Sequence, residues 1–240
     1  MKKIVDNYLF LTDIEEFDQK LLDMFFYRLS VFLNTFIDKP SLKMLKFHKE
    51  DRAWYEHWSN KIVFLSEKYR IESKYFSFDK EEIEGSTMID IDDYKYVFLL
   101  SDIYHELIHA YQYDATQWMH GHVVEMSDVF VEGSNDLFTA MITGQINIDY
   151  TRETTAIWYF LRKMLKIKRL DILYNATRDI IIEPYFFTSD VYKIKKYVDL
   201  NTEGNIIKLI KHIDKLNMSK YIKECEQDIL GVHNLIFYRW

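Results

Sequence analysis

One string in this 240-residue chain has the types and spacing for chemistry: Tyr104-His105-Glu106-Leu107-Ile108-His109-Ala110. It reads His-Glu-x-x-His. On a helix four residues make just over one turn, so His105 and His109 project from the same face. Two imidazoles at that spacing can both reach one tetrahedral zinc ion. Glu106 stands beside the first of them. There it can touch a metal-bound water without being a ligand, which is the geometry a general base needs. Leu99, Leu100, Ile103, Leu107, Ile108 and Ala110 are apolar and would bury the helix around this polar stripe.

A zinc site of this kind needs a third protein ligand. Glu132 is the first candidate, in Val131-Glu132-Gly133-Ser134-Asn135-Asp136-Leu137-Phe138. It lies 23 residues beyond His109, far enough for a turn and the start of a second helix packed antiparallel to the first. Asp136 follows one helical turn later, where a carboxylate could accept the remaining N–H of a ligand histidine. Phe130, Val131, Leu137 and Phe138 predict that this second helix is buried, and buried carboxylates need partners. His120 or His122, in Met119-His120-Gly121-His122, is the other candidate. The metzincin extension would require Gly at position 112 and His at position 115. Gln112 and Ala115 stand there, which excludes it.

The run HExxH followed by Glu-x-x-x-Asp on a second helix resembles the gluzincin (thermolysin-like) zinc metallopeptidases. The Glu132-Gly133 pair is similar to the Glu-Gly motif of gluzincin peptidases, including aminopeptidase-like families. The likeness covers about 35 residues. It implies a zincin-like fold, with His105, His109 and Glu132 as zinc ligands, Glu106 as base and Asp136 orienting His105. It implies hydrolysis of a peptide or protein substrate through a zinc-activated water. His120-Gly121 also resembles the His-Gly pair of SprT-like proteases, which implies a His third ligand and action near DNA. Val124 stands where that group has an aromatic residue, and its zinc-ribbon cysteines are missing. A third reading is a non-catalytic zinc-binding interaction module.

Sites of this class add a Tyr or His donor to the developing oxyanion. Pro184-Tyr185 precedes a segment through Val191 and Ile194, similar to the Tyr-bearing approach to the helix after the active site in several gluzincin families. Tyr185 is therefore the first candidate, with Tyr192 and His233 behind it.

Regular elements must position these groups. With 6 Gly and 2 Pro, the chain should be dominated by regular helix. Thr12 and Glu15 suggest a capping box for a helix from about Asp13 to Phe36, and residues 41–60 read as helical. Short strands are expected at 61–65, 69–71, 74–78 and 87–91, in a small, mostly antiparallel sheet. From about Asp93 the pattern is helical: Tyr94–Gln112, Met126–Thr143, Thr151–Lys166, Asp190–Asp199, Gly204–Lys215 and Ser219–Leu230. The expected fold class is α+β, a single 1–240 domain with a helix-plus-sheet lobe (1–92) and a helical lobe (93–240) carrying the zinc site.

Composition bounds the rest. Hydrophobic residues are 48% and charged residues 29%, a globular balance that argues against disorder. The net charge of −7 argues against a dedicated nucleic-acid binder. The basic stretch Arg162, Lys163, Lys166, Lys168 and Arg169 reads as a solvated helical face. The single cysteine, Cys225, excludes an intramolecular disulfide and a Cys-rich zinc site. Nothing resembles a signal peptide or a membrane span, so a cytoplasmic location is expected, and the sequons at Asn175 and Asn217 are expected to stay unused. The oligomeric state is not legible.

Overall fold

The computed structural model of the chain describes residues 2–75, 83–84, 90–118, 128–145, 150–182 and 203–237. The expected strand at 87–91 falls mainly outside these residues. So do 76–78, the expected helix Asp190–Asp199, and His120, His122, Tyr185 and Tyr192. The class is α+β. The chain divides into two compact units, Met1–Ala110 and Tyr111–Trp240.

The first unit opens with two strands that the sequence reading missed. β1 (Lys2–Val5) and β2 (Tyr8–Leu11) form an antiparallel hairpin over a two-residue turn, with Asp6 left-handed at φ +48°. β2 buries Leu9, Phe10 and Leu11 completely. α1 covers Gln19–Leu33, shorter than expected. Thr12 pairs with Glu16, not with Glu15: its hydroxyl donates to one carboxylate oxygen at 2.9 Å and its N–H to the other at 3.2 Å. The cap of α1 is Asp18, which accepts the Leu21 N–H at 2.9 Å. Leu21, Leu22, Phe25, Leu29 and Leu33 form its buried stripe.

Residues 41–60 are not the expected helix, apart from a single 3-10 turn at His57–Ser59. They hold β3 (Ser41–Leu45) and β4 (Ala53–Glu56), which flank β5 (Lys61–Leu65). β3 runs parallel to β5 and β4 antiparallel to it, so this sheet is mixed. Among the described residues there are two three-stranded sheets where one was expected, and three of the four strand pairings are antiparallel, β3 with β5 being the parallel one. The third strand of the other sheet is β6 (Tyr96–Leu99), paired with β2 where helix was expected. Of the expected strand at 69–71 only an Arg70–Tyr96 bridge forms. Phe98 of β6 stacks on Phe17 (4.7 Å) and Tyr69 (4.1 Å) and meets Phe64 of β5 edge-on (5.7 Å). This aromatic cluster is the core shared by the two sheets.

β6 runs directly into α2 (Leu100–Trp118), and the boundary between the units falls inside this helix. The second unit is helical. α3 (Asp128–Thr143) packs on α4 (Thr151–Tyr159), on α5 (Leu170–Ile182), which the sequence reading missed, and on α6 (Glu203–Phe237). A π-helical turn, Phe160–Met164, extends α4. α6 breaks at Asn217, between the two helices expected there, and the Asn217 side chain accepts the Lys220 N–H at 3.1 Å. No described helix is long and apolar enough to cross a membrane.

Candidate metal centre

The start of α2 is pinned from two sides. The Leu100 N–H donates to the Asn7 carbonyl at 2.8 Å, in the turn of the β1–β2 hairpin. The Tyr69 hydroxyl donates to the Asp102 carboxylate at 3.1 Å, in the helix's first turn. Tyr69 is fully buried. Burial, together with the charges of Asp102 and Glu106, pushes its hydroxyl well above the ordinary tyrosine range, so it stays a donor. An acidic residue in the first turn also suits the helix dipole.

The next turns carry the motif. Ile103, Leu107 and Ile108 are fully buried and Ala110 nearly so, which fixes the roll of the helix. His105 and Glu106 are 8% and 7% exposed, and His109 is half-buried. The Nε2 atoms of His105 and His109 lie 3.0 Å apart, with the rings nearly perpendicular at 80°. The predicted common face is therefore realised, with the two Nε2 atoms within hydrogen-bond distance of each other.

α3 brings the carboxylate. Its register against α2 is set by Gln112, one turn beyond His109 and 4% exposed. The Gln112 amide donates to the Val131 carbonyl at 3.0 Å and to the Ser134 hydroxyl at 3.3 Å. Val131 is the neighbour of Glu132, so one side-chain amide holds the Glu132 turn. The approach of α3 to α4 depends on Gly133. A Cβ there would lie 2.9 Å from the Glu153 backbone carbon and 2.9 Å from Ile157 Cδ1. The Glu-Gly pair thus has a packing reason beside any chemical one. Gln112 and Gly133 were not singled out as positioning residues from sequence. The signal was there for Gln112, a buried amide at i+3 from His109 on the same face.

One ligand atom from each of His105, His109 and Glu132 lies within 4.8 Å of the others. This group could bind a metal ion. Asp136 lies one turn after Glu132 and is 1% exposed, among the equally buried Ser134, Asn135 and Thr139. The Thr139 hydroxyl donates to the Asn135 side-chain carbonyl at 3.1 Å. A helix with this much polar surface out of water departs from ordinary core composition, in which buried polar residues are held by partners.

His233, the third oxyanion candidate, has its Nδ1 3.0 Å from the Ile142 carbonyl and its ring against Gly144 (φ +76°), at the end of α3. The basic stretch is largely neutralised. Arg162 grips both oxygens of Asp228 (2.6 and 2.9 Å) and donates to the Ile167 and Lys168 carbonyls, each at 2.7 Å. Lys163 pairs with Glu224 at 2.7 Å and Arg169 with Asp171 at 2.5 Å. Three of the five charges are thus engaged within the second unit, against a role as an open basic surface. Compared with family models, with curated proteins and with solved structures, the chain matches none.

Proposed function

We propose that the protein is a zinc-dependent metallopeptidase with a gluzincin-like centre, in which His105, His109 and Glu132 hold the metal. The observation that supports this is the convergence of two imidazole nitrogens and one carboxylate oxygen, from two helices, within 4.8 Å. Two nitrogen donors and one oxygen donor make a set zinc accepts while keeping an open position. Tetrahedral zinc at ordinary bond lengths separates two nitrogen ligands by about 3.3 Å. The 3.0 Å gap between the imidazoles needs only a small opening to match. When bound, zinc supplies Lewis acidity and a water of lowered pKa.

The chain's own residues do the rest. Glu106, nearly buried on the same helix, accepts a proton at its carboxylate from the attacking water and returns it to the leaving amine nitrogen. Its burial among apolar neighbours keeps competing solvent away. Asp136 orients a ligand imidazole, the role its spacing from Glu132 suggests.

The test is zinc stoichiometry by elemental analysis on wild type, Glu132→Ala and Glu106→Gln, followed by a peptide-library digest. We expect about one zinc in the wild type, a large loss in Glu132→Ala, and full zinc with abolished cleavage in Glu106→Gln. Zinc retained in Glu132→Ala would move the third ligand elsewhere. Zinc bound without cleavage by the wild type would point to a non-catalytic zinc module.

A further inference from the structure

A recess of about 320 Å³ in the first unit is lined by Phe47, Lys68, Arg70 and Tyr75, together with Glu67 and Glu72. Its origin is local. β5 ends at Leu65, and a single 3-10 turn, Ser66–Lys68, leads to Tyr69, which enters the aromatic core. Burying Tyr69 draws its neighbour Lys68 inward, to 3% exposure. Among the described residues the Lys68 ammonium has neither an ion pair nor a hydrogen bond, and the face of Tyr75, 5.5 Å away, is what it meets. A ring face offsets only a small part of desolvating an ammonium.

The charges around it are already committed. Arg70 serves both Glu67 (4.0 Å) and Glu72 (3.7 Å). Lys74 stands 5.0 Å from the same Tyr75 ring and adds a further positive charge. The recess therefore has room for one negative charge, opposite Lys68. A dianionic phosphate would meet the two glutamates. Phe47 and Tyr75, 64% and 47% exposed, leave two aromatic surfaces open beside that charge.

We propose that this recess binds a carboxylate carried on an aromatic or apolar body, with Lys68 as its counter-ion and Phe47 and Tyr75 as its walls. The site needs no metal and stands apart from the peptidase reading. A carboxylate of this kind comes from the end of a peptide chain or from a small aromatic acid, and both share the same recognition chemistry.

The test is a titration of the full chain with N-acetyl-phenylalanine, its amide, phenylacetate and inorganic phosphate, following the backbone amides of Phe47, Ser73 and Tyr75 by NMR. We expect saturable shifts with the carboxylates and binding of the amide weaker by about tenfold or more. Lys68→Met, which keeps the aliphatic stem, should weaken the carboxylates by a similar factor. Phe47→Ala, at an exposed position, should weaken them severalfold without disturbing the fold. Tighter binding of N-acetyl-phenylalanine than of phenylacetate assigns the site to a peptide terminus, and the reverse order to a small acid; either supports it. Equal binding of acid and amide, tighter binding of phosphate, or unchanged affinity in Lys68→Met overturns it. If Lys68→Met fails to fold, unchanged affinity in Phe47→Ala overturns it.

Discussion

Replacing Gly133 by alanine tests whether the approach of α3 to α4 is as tight as described. In an ordinary helix interior this change stabilises by about 0.5–1 kcal/mol, because glycine loses more backbone freedom on folding. Here the new Cβ would sit 2.9 Å from the Glu153 backbone carbon, 2.9 Å from Ile157 Cδ1 and 3.0 Å from Glu153 Cβ. The isoleucine methyl can swing aside; the backbone carbon cannot move without α4. Ordinary carbon contacts lie at about 3.5–4.0 Å, so the helices must part by about 0.6–1 Å. Overpacking of this kind costs about 1–3 kcal/mol. The net is a loss of about 0–2.5 kcal/mol, centred at about 1.3 kcal/mol, which at about 2–4 °C per kcal/mol for a chain of this length lowers the melting temperature by about 3–5 °C. Glu132 rides on the same turn, so metal affinity should fall as well, by about tenfold. Calorimetry and zinc titration of the variant read both effects. Gly231→Ala is the control, since its Cβ would meet only the Leu170 Cδ1 methyl, at 3.1 Å, and should be near neutral. A Gly133→Ala melting temperature above wild type would refute the close approach. A lower one with unchanged zinc affinity would refute its link to Glu132.

Three further outcomes follow from the contacts. Gln112→Ala should cost about 1–2 kcal/mol in urea unfolding and weaken zinc binding by about tenfold, because Val131 loses a donor and the register of α3 against α2 loosens. Asp228→Ala should cost about 2 kcal/mol by the same assay, since it strips the Arg162 guanidinium and the Trp158 indole N–H (2.9 Å) of one shared carboxylate. Burial, with the charges of Asp228 and Glu226 nearby, pushes the Cys225 thiol well above the ordinary cysteine range. The protonated, buried form should therefore persist at pH 8, and mass spectrometry should find Cys225 unalkylated by iodoacetamide until the protein is unfolded.

The parts legible in sequence are those fixed by short spacings. His105 and His109 share a face because the helix repeat puts them there, and Glu132 and Asp136 fall on the next long helix because its apolar residues recur with the same period. The break between the two halves of α6 was legible as well. The N-terminal strands were not, because Lys2–Leu11 becomes a hairpin bound to β6 only through a partner far along the chain. Ser41–Leu45 and Ala53–Glu56 were misread as helix for a related reason: both are strands by virtue of lying on either side of β5. The Thr12–Glu15 box fits the pattern of a cap, yet Asp18 sits nearer the true start of α1 and supplies the bond. Gly133 and Gln112 escaped notice because close approach and register belong to pairs of helices, and no single segment displays them.

The antiparallel pairing of Tyr8 with Leu99 has a consequence for the order in which the protein is made. The chain emerges from the ribosome amino end first, and the partner of Tyr8 follows 91 positions later, from residue 8 to residue 99. At ordinary translation speeds of about 5–20 residues per second, that is a wait of about 5–18 s. Through that interval β2, with Leu9, Phe10 and Leu11, has a bare edge where β6 will later lie. An apolar edge waiting for a late partner is where nascent chains are captured by chaperones or by each other. The strand that closes this edge continues without a break into the helix bearing His105 and His109, so β2 becomes a mooring for that helix only once the helix itself has begun to appear.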